Sequence, residues 1–372
     1  MQVIEVISFK DQEEFIHFPK KLYSSDSNYV SPLDTDIRDV FDPKINKNFL
    51  IGNACRWLLV RDGSTIGRIA AFYKMEDNSL NGGIGFFECI NNFEAAKELF
   101  DTAQNWLKKN ACKEMKGPIN FGEKDKYWGL LVNGFKNPSY QENYNFPYYQ
   151  NLFEQYGFEK VFEQTTSEIG LSDFKSERFI KLSERVFRNP AYRFEHFKLN
   201  RLNEFASDFI HIYNKAWAHR PDFTPITQDK IESTLVSLKP IMIEEAIWFV
   251  YANNEPAGFY VNVLDVNQIF KHLNGTMNLW NKLKFLYHRH FGKINRVRGI
   301  VFGVIPQYQN LGLETGMIIK FYQTIRQTHP QYTCAELSWI GDFNPKMHSL
   351  FEALGAKTTK IHYTYSYTFT EK

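Results

Sequence analysis

The sequence contains one strand–turn–strand pattern twice, about 190 residues apart. In the first copy an apolar run that starts at Trp57 reaches an Asp-Gly turn and then Gly67, ten residues after the tryptophan. In the second copy an apolar run from Trp248 reaches an Asn-Asn turn and then Gly258 at the same spacing. Two residues that tolerate positive φ between apolar runs are typical of a β-hairpin. The chain is therefore predicted to build the same hairpin twice.

The end of each half repeats a second pattern in the same order. Residues 152–157 read Leu-Phe-Glu-x-x-Gly, and residues 350–355 read the same. Each pattern predicts a short helix that ends at a C-cap glycine. Runs rich in Thr and Tyr follow at 165–169 and 362–369, and these runs predict strands. Two patterns repeated in one order predict two copies of one architecture.

Two copies also account for the length of 372 residues, which exceeds that of an ordinary single domain. We place the first domain at 1–171 and the second at 201–372. The segment 172–200 is rich in charge, and its apolar residues, among them Phe179 and Val186, recur near helical spacing. The segment is therefore predicted to be a linking helix rather than a flexible tether.

Helical and strand patterns alternate in both halves. The predicted strands lie at 57–61, 66–73, 84–88, 115–121, 246–251, 257–263, 297–304 and 334–340. The predicted helices lie at 93–109, 147–156, 203–218, 228–238, 312–328 and 345–354. The helix at 93–109 has the clearest pattern, because its apolar residues form one face. This order predicts an α/β fold in each half.

Charge and cysteine usage argue against several classes of protein. Lys plus Arg number 44 and Asp plus Glu 42, so the net charge is only +2 and nucleic acid is not expected as a partner. The four cysteines form no C-x-x-C pair, which predicts reduced thiols and no metal site. No apolar run approaches about 18 residues, and the N-terminus does not resemble a signal peptide. We therefore expect a cytoplasmic protein with no membrane partner.

The clearest candidate for a binding site is the stretch 301–314. An apolar strand runs into Pro306, and a polar turn then leads through Gly312 into an amphipathic helix. Backbone N–H groups at such a helix N-terminus bind anions, and a glycine allows a phosphate to approach closely. No Asp or Glu occurs from Val266 through Leu313, whereas seven basic residues do. These are Lys271, Lys282, Lys284, Arg289, Lys293, Arg296 and Arg298. The charge favours a phosphate-bearing ligand.

The order of motifs in the second half resembles the acyl-CoA-binding core of the GNAT acetyltransferase superfamily. The shared motifs are V-x-P, Q-x-x-G and a closing N-x-x-M-x-x-L-F-E-x-x-G that starts at Asn344. The first half is similar to a degenerate copy. Further features resemble a bacterial tandem-GNAT family and lie at 117–121, 128–129, 144–149, 308–310 and 338–340. The resemblance implies an α/β fold of two GNAT-like domains in tandem, each with a mixed, mostly antiparallel central sheet flanked by helices.

The resemblance also implies which residues bind acyl-CoA, as acetyl-CoA or with another acyl group. The strand before the turn would hydrogen-bond the pantetheine arm through Phe302, Gly303 and Val304. Asn344 would help to place the cosubstrate. The pyrophosphate would lie on the amides of Gln309, Asn310, Leu311, Gly312, Leu313 and Glu314. The implied reaction is direct N-acyl transfer, without a metal, to the amine of a small molecule or an amino-acid-like acceptor.

Two positions depart from the family pattern. Glu314 stands where the signature has Gly or Ala, and a carboxylate that points at a phosphate would repel it. Phe351 stands where the common tyrosine acid lies, so Asp342, His348 and Tyr308 are the remaining candidates to protonate the thiolate, with solvent as a further source. A non-catalytic CoA-binding or scaffold protein therefore stays open, as does a tRNA-dependent aminoacyl transferase.

The first half is expected to contribute to the acceptor site but not to bind CoA. Residues 89–92 occupy the position of the phosphate turn and lack its glycine. Trp128 and the tyrosines of this half could line a cleft between the halves, where an acceptor would lie against aromatic faces. The tyrosines are Tyr140, Tyr144, Tyr148 and Tyr149.

Overall fold

The computed structural model describes most of the chain. The described residues are 1–76, 79–124, 126–173, 176–219, 223 and 225–369. Residues 174 and 175 of the predicted linking helix lie outside them. Helices and strands alternate in both halves, as the sequence predicts.

The first half contains the following elements. Its strands are β1 (Gln2–Glu5), β2 (Gly52–Arg61), β3 (Ser64–Glu76), β4 (Ser79–Cys89), β5 (Glu114–Gly117), β6 (Leu130–Asn133) and β7 (Glu159–Gly170). Its helices are α1 (Phe9–Leu22), α2 (Asp34–Val40), α3 (Phe93–Lys109) and α4 (Tyr149–Tyr156). The apolar face of α3 packs on the sheet and buries Leu99, Phe100 and Ala103 completely.

The second half repeats this order with one insertion and, within its described residues, without a counterpart of β6. Helix α5 (Ser176–Phe187) leads into it. Its strands are β8 (Tyr192–His196), β9 (Ile247–Ala252), β10 (Glu255–Leu264), β11 (Arg296–Val304), β12 (Cys334–Gly341) and β13 (Lys357–Thr368). Its helices are α6 (Leu202–Trp217), α7 (Gln228–Leu238), α8 (Asn267–Phe270), α9 (Leu279–Phe291), α10 (Leu313–Thr328) and α11 (Pro345–Leu354). The insertion is α8 with α9, which separates the paired strands β10 and β11.

Both predicted hairpins are confirmed. Strand β2 pairs with β3 through Asp62 and Gly63, and β9 pairs with β10 through Asn253 and Asn254. All four turn residues have positive φ, between 50° and 75°. The turns therefore take the left-handed conformation that the Asp-Gly and Asn-Asn sequences favour.

The two halves share one continuous sheet because they exchange their last strands. The strand order is β1-β2-β3-β4-β5-β13-β7-β12-β11-β10-β9-β8, and β6 pairs with β13 outside this path. Strand β7 of the first half pairs with β12 of the second, and β13 of the second half pairs with β5 of the first. The two exchanged strands also pair with each other, antiparallel, along most of their length. Each half therefore depends on the other to complete its part of the sheet.

The segment between α5 and α6 contains a strand that its sequence pattern does not single out. Strand β8 follows α5 after the Asn-Pro pair and lies at the edge of the sheet, antiparallel to β9. Helix α5 itself packs on α10, and it buries Phe179 and Val186 in the core of the second half. The helical spacing thus predicts α5, whereas β8 is stabilised by a partner some 56 residues further along the chain.

Candidate active site

Strands β11 and β12 part after a short parallel ladder. They pair only from Arg296 to Arg298 against residues 334–336, all within the described part of the chain. Just beyond, the register between β10 and β11 shifts so that Ile300 has no opposite residue, and its side chain is 41% exposed. An extra residue of this kind bends a strand and increases its twist. The bulge thus directs β11 away from β12 and opens a wedge between them.

A serine hydroxyl marks the apex of this wedge. Ser338 Oγ lies 2.5 Å from the carbonyl oxygen of Gly299 and 3.0 Å from that of Ile300, and its one hydroxyl proton is shared between them. A side chain thus replaces the backbone ladder at the point where the strands separate. Beyond Ser338, the edge of β11 that faces β12 makes no ladder with β12, whereas the opposite edge is paired with β10. The edge that faces β12 can therefore accept a ligand.

The polar turn after β11 adopts the conformation that an anion site requires. One turn of 3-10 helix over Pro306–Tyr308 precedes Asn310 and Gly312, which have φ of 62° and 82°. Gly312 then precedes the first residue of α10. The Gln309 side chain folds back and donates from Nε2 to the carbonyl oxygen of Val304 at 3.0 Å. The turn is therefore ordered by its own contacts before any ligand binds.

Glu314 is the position where this turn differs most from an open phosphate site. Its carboxylate accepts hydrogen bonds from its own backbone N–H and from that of Asn310. Burial raises the pKa of Glu314, and these two hydrogen bonds oppose the rise. The carboxylate thus already binds amides that a phosphate would use.

The residues predicted to bind the pantetheine arm are partly covered. The ring of Trp217 lies against Gly303, where an added Cβ would come within 2.5 Å of it. Phe302 is half-buried, and its ring meets that of Tyr260 edge-on at 5.2 Å between centroids. Tyr308 is half-buried between the cores on the two faces of the sheet. The Phe302 side chain and the Gly303 surface are therefore covered by the protein, which leaves the backbone edge of this part of β11 for a ligand.

Three further predicted residues lie on the other side of the wedge, where β12 ends. Asp342 is exposed, and its Oδ2 accepts from the backbone N–H of Glu163 at 3.2 Å. Asn344 caps α11 by accepting from Met347 N at 3.4 Å. His348 is half-buried, with Nε2 at 3.3 Å from the carbonyl oxygen of Gly341. Because β11 and β12 are parallel, their C-terminal ends lie at the same edge of the sheet. The structure therefore brings both groups of predicted residues to the two sides of one wedge.

A small polar cavity lies where the two halves meet at this wedge. Its volume is about 20 Å³, and we call it the junction cavity. Both halves contribute to its wall, with Trp128 and Glu142 from the first half and Arg298 and Trp339 from the second. Its lining residues are Trp128, Gln141, Glu142, Gln164, Thr166, Arg298, Trp339 and His362. A cavity of this size accommodates a group as large as a water molecule or an amine.

A network of buried charges supports the junction cavity. Lys360 is 1% exposed, and its Nζ lies 2.5 Å from Glu142 Oε2 and 2.9 Å from Glu336 Oε2. Glu336 also contacts Arg296 and Arg298 at 3.7 and 3.6 Å. Burial alone would raise the pKa of Glu336, but the three cations outweigh it and lower the pKa. Glu336 is therefore ionised and paired, and this network holds β11, β12 and β13 together.

His362 is the lining residue best suited to accept a proton. Its side chain is buried, which lowers its pKa and keeps the imidazole neutral near pH 7. Nε2 lies 3.1 Å from the carbonyl oxygen of Asn143. A carbonyl oxygen only accepts hydrogen bonds, so Nε2 carries the proton and Nδ1 is the basic nitrogen.

The basic residues that the sequence suggests for a phosphate site lie elsewhere. Arg296 pairs with Asp265 at 2.7 Å and with Glu168 at 2.8 Å, and Arg298 donates to the carbonyl oxygen of Tyr140 at 2.7 Å. The remaining five belong to the insertion or its flanks. Their charge therefore does not surround the turn after β11, because chain proximity between 266 and 313 is not spatial proximity.

The first half opens in a similar way but contains a buried polar cluster. Strands β4 and β5 pair only at Gly83 and Lys116 and then part around a cavity of about 60 Å³. Glu88 in its wall accepts hydrogen bonds from Tyr23 at 2.5 Å and Tyr149 at 2.9 Å. Burial raises the pKa of Glu88, although Arg68 opposes the rise. This cluster occupies the position that the open wedge has in the second half.

The aromatic residues predicted to line a cleft between the halves are divided by the structure. Trp128 lies in the wall of the junction cavity, and Tyr144 and Tyr149 lie in the wall of the first-half cavity. Tyr140 donates to Asp36 at 2.8 Å, and Tyr148 donates to the carbonyl oxygen of Cys89 at 2.7 Å. Only the tryptophan of this set therefore lines the cavity at the junction.

Sequence reasoning missed most of the junction cavity. Glu142, Gln164 and His362 come from a loop and two exchanged strands. No local pattern predicts that they meet, because the exchange of β7 and β13 brings them together.

Across the described residues, we find no group of three His, Cys, Asp or Glu side chains with metal-binding geometry. Nor does any helix within that part of the chain have the length and apolar character needed to cross a bilayer.

Two curated proteins are similar to the chain over nearly its whole length. The bacterial ceramide synthase of Caulobacter vibrioides (strain NA1000 / CB15N) is 25% identical over 381 aligned positions, which cover 98% of this chain and 97% of that protein. Protein YghO of Escherichia coli (strain K12) is 24% identical over 364 positions, which cover 95% and 92%. No protein-family profile matches the chain.

Solved structures identify the fold. A tandem GNAT protein from the clavulanic acid biosynthesis pathway superposes with a TM-score of 0.57 at 9% identity, over 100% of this chain and 99% of that one. A GCN5-related glucosamine N-acetyltransferase region of a fungal multi-domain GH3 β-N-acetylglucosaminidase gives 0.57 at 11% identity. There the match covers 98% of this chain but only 38% of the larger protein. The expected fold class is thus confirmed, and the chain has the fold of tandem GNAT acyltransferases.

Proposed function

We propose that the protein is an N-acyltransferase that moves an acyl group from acyl-CoA to the amine of a small molecule. The observation that carries this proposal is the bulge at Ile300, where β11 leaves β12 in a sheet that matches tandem GNAT structures. The free edge of β11 offers backbone groups to the amide-containing pantetheine arm. The arm would run along Phe302, Gly303 and Val304 to the turn.

The turn from Gln309 to Glu314 would bind the pyrophosphate. The N-terminus of α10 supplies N–H groups and the positive end of a helix dipole. The Glu314 carboxylate must leave these amides when the cosubstrate binds, because one set of donors cannot hold both anions. Acyl-CoA therefore competes with an internal ligand, which weakens its apparent affinity.

The acceptor amine would lie in the junction cavity. Its volume suits one amine nitrogen, and Glu142 and Trp128 offer a carboxylate and an aromatic face to the neutral amine. The similarity to a ceramide synthase suggests which chemical class of amine is the acceptor. A ceramide is the amide of a fatty acid and a long-chain amino alcohol, so we propose a long-chain amino alcohol as acceptor and a fatty acyl-CoA as donor.

The reaction forms one C–N bond and breaks one C–S bond. The neutral amine attacks the thioester carbonyl carbon, and the amine proton passes to Nδ1 of His362. The electron pair of the C–S bond goes to sulfur, and the thiolate takes a proton from Tyr308, Asp342, His348 or solvent. Phe351 supplies none, since its ring has no exchangeable proton and packs against the core.

A second candidate is a CoA-binding scaffold without turnover. Two observations favour it: Phe351 in place of an acid, and the Glu314 carboxylate on the turn amides. Under this reading acyl-CoA would bind in the same wedge and stabilise the fold. The two candidates therefore differ in thiol release and not in binding.

Binding is tested by thermal unfolding with acetyl-CoA and with long-chain acyl-CoA. We expect the Tm to rise with ligand, and Gly312→Asp to abolish the rise by placing a second carboxylate at the turn. Gly63→Asp is the matched control, because Gly63 has a similar φ of 75° and open space around it. A wild-type Tm that no acyl-CoA changes would contradict both the enzyme and the scaffold.

Turnover is tested by thiol release from acyl-CoA across amines of increasing chain length. We expect release with long-chain amino alcohols, and a large loss of kcat in His362→Gln. Wild-type kcat/KM should fall as the pH drops through the pKa of His362, which burial places below 6.5. Tyr308→Phe, Asp342→Asn and His348→Gln compare the candidate acids. If none of the amines caused thiol release while acyl-CoA still raised the Tm, the scaffold would be favoured.

A further inference from the structure

Helix α9 presents a broad apolar face to solvent. Six large apolar side chains on this one helix are each at least 51% exposed, and Trp280 and Phe291 reach 75% and 77%. They are Leu279, Trp280, Leu283, Leu286, Tyr287 and Phe291. Scattered exposed residues are normal on a protein surface, but a contiguous patch usually marks an interaction site.

The exposed residues form one stripe. At about 100° per residue they span roughly 140° of the helix circumference, an arc that also contains the exposed His290. Lys282 and Arg289 border the stripe on one side, and Lys284 borders it on the other. The opposite side carries Asn281 and Phe285, which are buried. An apolar stripe with Trp and Leu between cations is the pattern of a helix that lies in a membrane interface.

The stripe is not needed to fix α9 on the protein. Phe285 packs in the core of the second half, and Asn281 Nδ2 donates to the carbonyl oxygens of Leu273 and Thr276, each at 3.0 Å. Asn278 caps the helix by accepting from Asn281 N at 2.9 Å. The helix is thus held on the protein through its buried side, and the exposed apolar stripe is not needed to keep it in place.

The charge around the stripe identifies the kind of partner. The sequence from Val266 through Leu313 contains no Asp or Glu, and Lys271, Lys282, Lys284 and Lys293 in it are all exposed. We propose that α9 docks the protein on the surface of an anionic lipid bilayer. The apolar stripe enters the boundary between head groups and acyl chains, and the flanking cations contact anionic head groups.

A second copy of the chain fits the stripe less well. A two-fold dimer would place the face against itself. Lys282, Lys284 and Arg289 would then approach the same cations of the other copy, with no acidic residue of the segment to neutralise them. A lipid surface instead supplies negative charge to every cation at once.

This docking goes beyond the proposed reaction and does not depend on it. The sequence-based expectation of no membrane partner rests on the lack of an apolar run that could span a bilayer. An interfacial helix needs no such run, because it lies in the plane of the surface.

Vesicle co-sedimentation tests the proposal with the full chain. We expect binding to phosphatidylcholine vesicles with roughly 30% phosphatidylglycerol to exceed binding to pure phosphatidylcholine by about tenfold or more. The double variant Trp280→Glu with Leu283→Glu should lower binding to the anionic vesicles at least about tenfold. Lys282→Gln with Lys284→Gln should lower it by about fivefold per lysine and leave binding to neutral vesicles unchanged.

Two controls separate docking from misfolding and from self-association. Leu50→Glu and Val236→Glu replace apolar residues that are 83% and 69% exposed elsewhere, and they should retain vesicle binding. All variants should keep the wild-type Tm. Equal binding by wild type and the Trp280/Leu283 variant would overturn the proposal. The proposal would also be overturned if the wild type formed a dimer, the Trp280/Leu283 variant were a monomer, and neither protein bound vesicles.

Discussion

In both halves a β-bulge lies where two parallel strands separate, but different residues occupy the opening. In β4 the residues Phe86 and Phe87 oppose a single residue of β3, and Phe86 has a positive φ of 49°. In β11 the extra residue is Ile300. Each bulge lies where the strand leaves its parallel neighbour. The repeat in sequence is thus a repeat of one mechanical feature, a strand bent outward at a fixed position.

What fills each opening differs. In the first half Arg68, Glu88, Tyr23 and Tyr149 form a hydrogen-bonded cluster beside the cavity. In the second half Ile300 is exposed at the wedge. A buried ion pair stabilises a protein only when its hydrogen bonds are satisfied, and it fixes the elements that carry it. The buried polar cluster of the first half has no counterpart at Ile300, which supports our proposal that the ligand binds in the second half.

The connection before each bulged strand also differs. In the first half β3 ends at residue 76 and β4 begins at residue 79, whereas residues 265–295, with α8 and α9, separate β10 from β11. Antiparallel neighbours need only a short turn. The longer connection therefore serves another purpose, which we infer to be contact with a lipid surface.

The strand exchange makes the two halves interdependent, and removing β13 tests this most severely. A chain that ends at residue 356 loses the strand between β5 and β7. Both neighbours would then expose unpaired backbone, so we expect cooperative unfolding to disappear from both halves in urea titrations followed by circular dichroism. Adding a peptide of residues 357–369 should restore the transition. A truncated chain with one half still folded cooperatively would show that the halves are independent.

Local patterns predicted the parts of the fold that depend on neighbouring residues. The Asp-Gly and Asn-Asn pairs predict the two hairpins because their φ preference acts over two residues. The apolar face of α3 and the Gly312 turn before α10 follow in the same way. The exchange of β7 and β13 leaves no such signal, because either strand has the sequence to pair with β5 or β12.

The same limit applies to the candidate site. The turn from Gln309 to Glu314 is one continuous segment, so its motif is visible in the sequence. Glu142 and His362 are 220 residues apart, and they share one cavity only because β13 lies beside the first half. The placement of Arg296 and Arg298 shows the converse, since residues that look like one basic patch are neutralised by carboxylates, and both contact Glu336.

Lys360→Met should be the most destabilising single substitution at the contact between the halves. It leaves Glu142 and Glu336 buried without their shared cation, which costs about 3–5 kcal/mol in the free energy of unfolding. Urea unfolding measures the change. Lys97→Met, which removes an exposed pair with Asp101, is the control and should change stability far less. A small effect at Lys360 would mean that the junction does not hold the halves together.

The pH dependence of stability should change with it. The pKa of Glu336 is lowered in the folded protein, so its stabilising contribution is present above the ordinary value of 4.5 and is lost as the pH falls below that value. Without Lys360 the pKa of Glu336 lies nearer to its ordinary value. Below about pH 4.5, the free energy of unfolding should therefore fall less steeply with decreasing pH in Lys360→Met than in the wild type.

Glu314→Ala tests whether the turn of the second half is a weakened phosphate site. Removing the carboxylate frees the amides of Asn310 and residue 314 and removes a repulsion, so acyl-CoA affinity should rise on the order of tenfold. Wild-type affinity should also rise as the pH falls through the raised pKa of Glu314, and the variant should lack this dependence. Titration calorimetry measures both. Unchanged affinity would place the pyrophosphate elsewhere.

The smallest expected effects come from two helix caps that occupy comparable positions. Asn92 accepts from Ala95 N at 2.9 Å at the start of α3, and Asn344 accepts from Met347 N at 3.4 Å at the start of α11. Asn92→Ala should cost about 1 kcal/mol of stability, and Asn344→Ala less, because its hydrogen bond is longer. Only Asn344→Ala should weaken acyl-CoA binding, since only that residue borders the open wedge. If Asn92→Ala weakened binding and Asn344→Ala did not, the ligand would bind in the first half.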